Sequence, residues 1–490
     1  MMRRAVVAVL VVLAAGGVVL AVLVSPWWCF LAVPLVALAV LGLWDLLQRK
    51  HSILRNYPVV GHLRFLLERI RPEMQQYFVE RNYDGRPYDR DTRSVIYERA
   101  KGIAGEQAFG TERDVNAVGY EYLLHSTCPV PQLKEPPRVR IGGPDCTQPY
   151  DMALLNVSAM SFGALSANAL LALNGGAARG GFAHDTGEGG LTKYHLQPGG
   201  DLVWELGSGY FGARTKDGEF DLDLFREKAA HPSVKMVSLK LSQGAKPGIG
   251  GVLPGSKVTK EIAAARGVPV GQTVTSPPSH KVFSTPRELV RFIAEMRSLA
   301  GGKPAGFKLC VGRRSEFLAI CKAMLDEQVT PDFIIVDGAE GGTGAAPLEF
   351  EDHVGTPLTE GLIFVHNALV GVGLRDVIKV GKRIAQGADF TNAARAMMMA
   401  VGCIQAQKCH TNECPVGVAT QDPRRAHALE VGDKTERTYR YQKATVESAL
   451  KIMSAMGARG PQDLRPSMLM RRQDHVTALS YAELYEWLRP

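Results

Sequence analysis

From Met152 onward the chain alternates short apolar runs with helical stretches, and that alternation restricts the fold more than any other feature. Runs at Leu155–Met160, Phe182–Asp185, Val234–Leu239, Pro269–Val274, Gly306–Val311, Asp332–Asp337, Val377–Val380 and Asp389–Ala393 read as strands. Strands alternating with helices build a parallel sheet covered by helices, and eight such units close into a (β/α)8 barrel, an α/β fold. Helices are predicted at Thr285–Leu299, with Thr285 as N-cap and Pro286 in the first turn, and at Ser315–Gln328. Only eight residues separate Val380 from Asp389. A crossover needs at least roughly 10–12 residues, so the strand-seven unit is expected to be truncated.

A second constraint lies at the N-terminus. Ala5 to Val24 is 20 residues without a charge, and Trp27 to Trp44 is 18 more, with Ser25 and Pro26 between them. Twenty helical residues rise about 30 Å, the thickness of a bilayer core. Arg3 and Arg4 precede the pair, Arg49, Lys50 and Arg55 follow it, and the turn is uncharged. The expectation is a two-helix hairpin in the inner (cytoplasmic) membrane, with both ends and the catalytic body in the cytoplasm and Trp27, Trp28 and Trp44 at the interfaces. The competing reading is a cleaved signal peptide, with small residues at 14–17, followed by a single anchor.

Four regions are expected: a transmembrane helical hairpin at 1–48, a basic membrane-proximal cap or linker at 49–150, the barrel at 151–430 and a helical extension at 431–490. The net charge is +8, and residues 49–101 hold 12 Lys and Arg against 7 Asp and Glu. That basic stretch follows an apolar N-terminus and carries no recognition motif, so it points to membrane lipid and not to nucleic acid. Eight cysteines in 490 residues are too few for a disulfide scaffold. No dinucleotide-binding glycine fingerprint follows a strand.

Active sites of such barrels sit at the C-terminal ends of the strands. Ser158–Gly163, Thr186–Gly190, Lys240–Gly248, Ser276–His280 and Asp337–Gly344 follow the expected strands, and Lys308 lies within one. Clustered glycines let backbone N–H groups approach a planar ring or a phosphate. Lysines beside them can stabilise the anion of a reduced flavin. Cys403, Cys409 and Cys414, spaced x5 and x4 with Pro415 after the last, match a three-iron cluster. Zinc with His410 as fourth ligand, or three buried unreactive thiols, are the alternatives. Cys128, Cys146, Cys310 and Cys321 show no ligand spacing.

Ser161–Ser166, Thr186–Gly190, Gln243–Gly248, Gly341–Ala345 and Gly402–Gln421 together resemble the synthase domain of glutamate synthase, and the resemblance runs from about Asn56 to the C-terminus. It is closest to a membrane-anchored branch of FMN-binding glutamate synthase-like proteins. The resemblance implies FMN across the strand ends, with Met160 and Ser161 at the isoalloxazine and Gln243 and Lys308 near its polar edge. Gly341, Gly342 and Thr343 would line the ring or ribityl chain, and backbone around Ala394, Arg395 and Ala396 would hold the phosphate.

It further implies a 3Fe–4S cluster on Cys403, Cys409 and Cys414. The implied reaction is reductive: 2-oxoglutarate and ammonia form 2-iminoglutarate, and reduced FMN delivers hydride to its imine carbon. Electrons come from an external donor such as ferredoxin or a reductase subunit. Glu188, Lys246 and His280 are candidates for substrate carboxylate binding and proton transfer.

The chain departs from the family in lacking the glutaminase and β-helical domains, in carrying Ile249 where a polar residue is usual, and in its shortened strand-seven unit. Lys382 or Arg395 is the expected charge compensation there. Two other readings stay open: flavin chemistry on another substrate, and a catalytically impaired membrane scaffold.

Overall fold

The computed structural model describes residues 2–48, 50–103, 105, 108, 110–381 and 384–488. Lys382 therefore lies outside the described residues. The chain divides into two compact units, Met1–Thr92 and Arg93–Pro490.

The first unit opens with two apolar helices, Met2–Leu23 and Cys29–Leu47, joined by the single turn Pro26–Trp28. Their mean hydropathies, 3.1 and 2.3 over Arg4–Leu23 and Pro26–Leu47, and their lengths suffice to cross a membrane. Small residues let them approach: a Cβ on Gly17 would lie 3.2 Å from Ala32 Cα. Asp45, fully buried at the end of the second helix, accepts hydrogen bonds from Val59 N at 2.8 Å and His62 Nε2 at 2.9 Å. Those bonds tie the hairpin to the following helix, Gly61–Met74.

The second unit is built on an eight-stranded parallel sheet. Its strands are β1 (Leu155–Val157), β2 (His184–Asp185), β3 (Leu202–Leu206), β4 (Val234–Lys240), β5 (Ala305–Cys310), β6 (Phe333–Asp337), β7 (Lys379–Gly381) and β8 (Thr391–Ala393). They pair in sequence order, β8 returns to β1, and a lone parallel bridge from Gly381 to Phe390 joins β7 to β8. This is the expected nearly closed barrel. The expected truncation is there too, since a three-residue 3₁₀ turn, Ile384–Gln386, stands where a helix would follow β7.

One strand assignment fails. Leu202–Leu206 is the third barrel strand, whereas Val274–Thr275 pairs antiparallel with Val252–Leu253 outside the sheet. The Lys240–Gly248 loop therefore follows the fourth strand, and Ser276–His280 belongs to an excursion between β4 and β5. The C-terminal region also departs from an all-helical reading. Val431–Ala455 is one long helix, but Leu469–Arg472 and Ala478–Ser480 then form an antiparallel sheet with Glu121–Leu123.

Period-two alternation sorts the strand residues between two cores. Trp204, Val237, Phe307, Ile334 and Val336 face the helices. Val203, Met236, Phe333 and Ile335 fill the lower barrel interior with Phe390, capped by Ile141 and Met152 of the hairpin Val139–Ile141 and Tyr150–Met152. By the same alternation Glu205, Lys240, Lys308 and Asp337 stand one layer higher inside the barrel, at the strand ends. The predicted helix start is present in full: Thr285 and Glu288 form a capping box on Pro286–Leu299.

Candidate active site

An apolar layer beneath and loops above bury most of the upper interior, so charges there must be paired. Lys308 bonds to Glu205, and both are buried. Burial alone would lower the Lys308 pKa, but Glu205 and Asp185 outweigh it and hold the ammonium above the ordinary lysine range. Burial and the Glu205 carboxylate push Asp185 up to about 8. Lys240 forms a second pair, 2.8 Å from Glu188 Oε1, and also reaches Gln243 Oε1. Burial pushes Glu188 up, yet Lys240 wins and keeps the carboxylate below its usual range.

Lys246 is 2% exposed and donates to Gly250 O at 2.8 Å; burial lowers it to about 8. His280 contacts Lys240 O at 2.9 Å through Nε2. A carbonyl only accepts, so Nε2 carries the proton and Nδ1 presents a lone pair. That Nδ1 is buried and has no partner among the described residues. Burial holds the imidazole below its ordinary pKa, so it is neutral at pH 7. The three expected substrate residues, Glu188, Lys246 and His280, thus share one electrostatic cluster with Lys240.

The rim loops close around this cluster. Gly187 adopts φ 65°, and a Cβ there would sit 2.8 Å from Ser161 N and 3.1 Å from Met160 N. Only glycine lets the β2 loop pack on Met160 and Ser161 this tightly. Arg266 Nη2 reaches Ser161 Oγ at 3.3 Å and Phe162 O at 3.0 Å. Gly244 N donates to Asp337 Oδ2 at 3.0 Å, joining the β4 and β6 loops. In the β6 loop Gly341 N donates to Gly338 O at 2.8 Å, and Gly342 lies beside Arg395, whose Nη2 donates to Glu340 O at 2.9 Å. Arg395 opens the short helix Arg395–Ala400, with Ala394 as its N-cap and Ala396 buried. Thr343 lies between Gly342 and Gly344, and a Cβ on Gly344 would be 3.1 Å from Cys409 Cβ. The β6 loop and the cysteine loop therefore share a wall.

The cysteine loop is strained. Gln405, Gln407 and Asn412 hold φ of 58°, 53° and 66°, a left-handed backbone that persists in non-glycine residues where the surroundings over-determine it. Thr420 Oγ1 donates to Asn412 O at 2.7 Å, and Asn412 Oδ1 accepts from Gln421 N at 2.6 Å. Burial pushes Cys403 up to about 11, with Cys409 and Cys414 adding to the shift, so the three thiols sense one another. Buried Lys257 donates to Ala419 O at 2.9 Å beside them.

Both implied groups fit the side chains present. Lys240, Gln243 and Lys308 supply cations and an amide for an electron-rich ring, and Gly341 and Gly342 keep the approach beside Arg395 free of side chains. Three thiols on one constrained loop, with a lysine beside them, suit an anionic iron–sulfur cluster. Among the described residues no group of three His, Cys, Asp or Glu side chains is placed to hold a metal ion. Sequence reasoning missed Glu205, Asp185, Arg266 and Lys257. A carboxylate inside the apolar run Leu202–Leu206 was the available signal for Glu205.

A parallel barrel whose strand ends carry paired buried charges under glycine-rich loops is the framework of an enzyme. A family model described as the conserved region in glutamate synthase matches residues 147–459. A glutamate synthase large subunit-like protein, YerD of Bacillus subtilis, is 36% identical over 93% of this chain and 96% of its own length. The archaeal-type glutamate synthase [NADPH] of Thermotoga neapolitana is 34% identical over 63% of this chain and 60% of its own. The B. subtilis glutamate synthase [NADPH] large chain is 32% identical over 61% of this chain and 20% of its own. The chain thus spans nearly all of one relative, about three-fifths of the archaeal-type enzyme and a fifth of the large chain. It belongs to the glutamate synthase family, a family of oxidoreductases.

Proposed function

We propose that this chain is a membrane-tethered FMN and iron–sulfur oxidoreductase that reductively aminates 2-oxoglutarate to L-glutamate, using ammonia and electrons from an external donor such as ferredoxin or a reductase subunit. The observation that carries this reading is the shared wall between the β6 loop and the cysteine loop, at Gly344 and Cys409. It would set a redox cluster beside a flavin in one site.

When bound, FMN supplies hydride to the imine carbon and a 3Fe–4S cluster on Cys403, Cys409 and Cys414 supplies electrons. Glu205 keeps Lys308 cationic, and Lys240 is oriented by Glu188, so both ammonium groups face developing negative charge already positioned. Gln243 completes that polar edge. Met160 and Ser161 form one boundary of the ring site, and Gly341, Gly342 and Thr343 another. Ala394, Arg395 and Ala396 bind the phosphate. Lys246 holds a substrate carboxylate, and His280 Nδ1 takes and returns a proton. The helices Met2–Leu23 and Cys29–Leu47 anchor the chain in the cytoplasmic membrane.

The test is purification in mild detergent without added cofactor, with FMN and iron quantified, followed by a reductive amination assay. Flavin bands over an iron–sulfur shoulder, and glutamate formed from 2-oxoglutarate, ammonia and a reduced donor, are expected. Flavin without glutamate formation would move the chain to another substrate, and absence of both chromophores would leave the scaffold reading.

A further inference from the structure

The truncated strand-seven unit leaves the β7–β8 crossover without its own helix, and the C-terminal segment occupies the neighbouring space. Gly387 ends the 3₁₀ turn Ile384–Gln386, and a Cβ on it would lie 2.5 Å from the Trp487 ring and 3.4 Å from His366 Nδ1. Trp487 stacks on His366, with centroids 3.5 Å apart and planes 15° from parallel. His366 lies on the helix Leu358–Gly371 that precedes β7. Its Nδ1 accepts from Arg375 Nε at 3.0 Å, so its Nε2 carries the proton and donates to Leu488 O at 3.0 Å. The next residue clamps the same segment: Asn367 Nδ2 donates to Glu486 O at 3.1 Å, and Asn367 Oδ1 accepts from Leu488 N at 2.9 Å.

Arg375 carries the connection into the crossover. Its Nη2 donates to Gly387 O at 2.9 Å, and its Nη1 pairs with Asp389 Oδ2 at 3.0 Å. Asp389 in turn accepts from Val380 N of β7 at 2.7 Å. One continuous set of contacts therefore runs from Leu488 through His366 and Arg375 to both ends of the crossover.

We propose that the C-terminal segment 485–488 stands in for the missing helix, and that Trp487 and His366 are positioning residues that hold the β7–β8 crossover for the flavin's phosphate. Loops after strands seven and eight are a common phosphate site of such barrels. The cofactor half of the proposal rests on the function proposed above; the strap half does not.

The test compares the full-length chain with Trp487→Ala, Trp487→Phe and Asn367→Ala. Hydrogen exchange of residues 384–393, FMN dissociation from the purified protein and iron per chain are measured together. A stacked ring pair, or a pair of hydrogen bonds, is worth about a factor of ten. Trp487→Ala and Asn367→Ala should therefore exchange about tenfold faster across 384–393 and bind FMN about tenfold more weakly, with iron unchanged. Trp487→Phe should restore most of both. Unchanged exchange in Trp487→Ala and Asn367→Ala overturns the strap. Faster exchange with unchanged FMN affinity overturns the positioning role. A wild-type chain that binds no FMN overturns the flavin reading instead, and the exchange comparison still decides the strap.

Discussion

Lys246 is a residue of the site whose charge changes at mildly alkaline pH. Its ammonium is buried with a backbone carbonyl as acceptor, and burial lowers it to about 8, against the upward pull of Glu188. A lowered lysine is charged below that value and neutral above it. In the proposed role only the charged form attracts a dicarboxylate, so kcat/KM for 2-oxoglutarate should fall as pH rises through about 8. This ratio reports the free enzyme. Lys246→Arg should move that limb upward, because a guanidinium stays protonated; a limb near 8 that survives the substitution would remove Lys246 from the binding role. The stability sign is the opposite one. A lysine with a depressed pKa contributes most above the ordinary lysine value of about 10.4, and that contribution fades as pH falls toward 8. Glu188 and Lys246 were legible because polar residues in glycine-rich loops stand out, and Lys308 because a cation within an apolar strand does. Glu205 was not, because its strand was not placed, and Asp185 was passed over as the last residue of a strand that was.

At the scale of elements, most strands could be read as apolar runs, and pairing decided the one that could not. The long apolar runs at β4, β5 and β6 were found almost to the residue, and the truncated unit followed from counting eight residues. β3 was missed and Pro269–Val274 read in its place, since both are short apolar stretches flanked by glycines and turn residues. Only pairing separates them: β3 is hydrogen-bonded between β2 and β4, while Val274–Thr275 finds a partner within its own excursion. The cysteine loop was read from spacing and Pro415, yet its left-handed residues Gln405 and Gln407 were not, because glutamine carries no signal for that conformation. The loop is anchored independently of any cluster, through Asn412, Thr420 and Gln421 and through Tyr97 OH donating to Cys403 O at 2.7 Å. Cys409→Ser should therefore abolish the iron while shifting Tm by only a few degrees. Iron per chain equal to wild type would refute the ligand assignment, and wholesale unfolding would show that the cluster organises the loop.

At the scale of the whole chain, a soluble barrel gains nothing from two apolar helices that expose Val12, Leu23, Phe30 and Leu47; a bilayer removes that exposure. The helix Gly61–Met74 continues the pattern. Leu63, Leu66, Leu67, Ile70 and Met74 are all exposed and recur at helical spacing, so they line one stripe suited to the headgroup boundary. Two cysteines make the orientation measurable. Cys29, beside the turn at Pro26–Trp28, and Cys128, in the second unit, are both exposed. If the hairpin spans with both ends inside, the turn faces outward and Cys128 faces the cytoplasm. A membrane-impermeant maleimide applied to intact cells should then label Cys29, and more strongly a Ser25→Cys variant, while Cys128 reacts only after lysis. Cleavage of a leader ahead of a single anchor would also leave Cys128 inside, and is told apart by a mature chain that starts near residues 14–17. Labelling of Cys128 in sealed cells would thus overturn both the hairpin and the cytoplasmic electron donor, because a body on the far side could not draw on cytoplasmic ferredoxin.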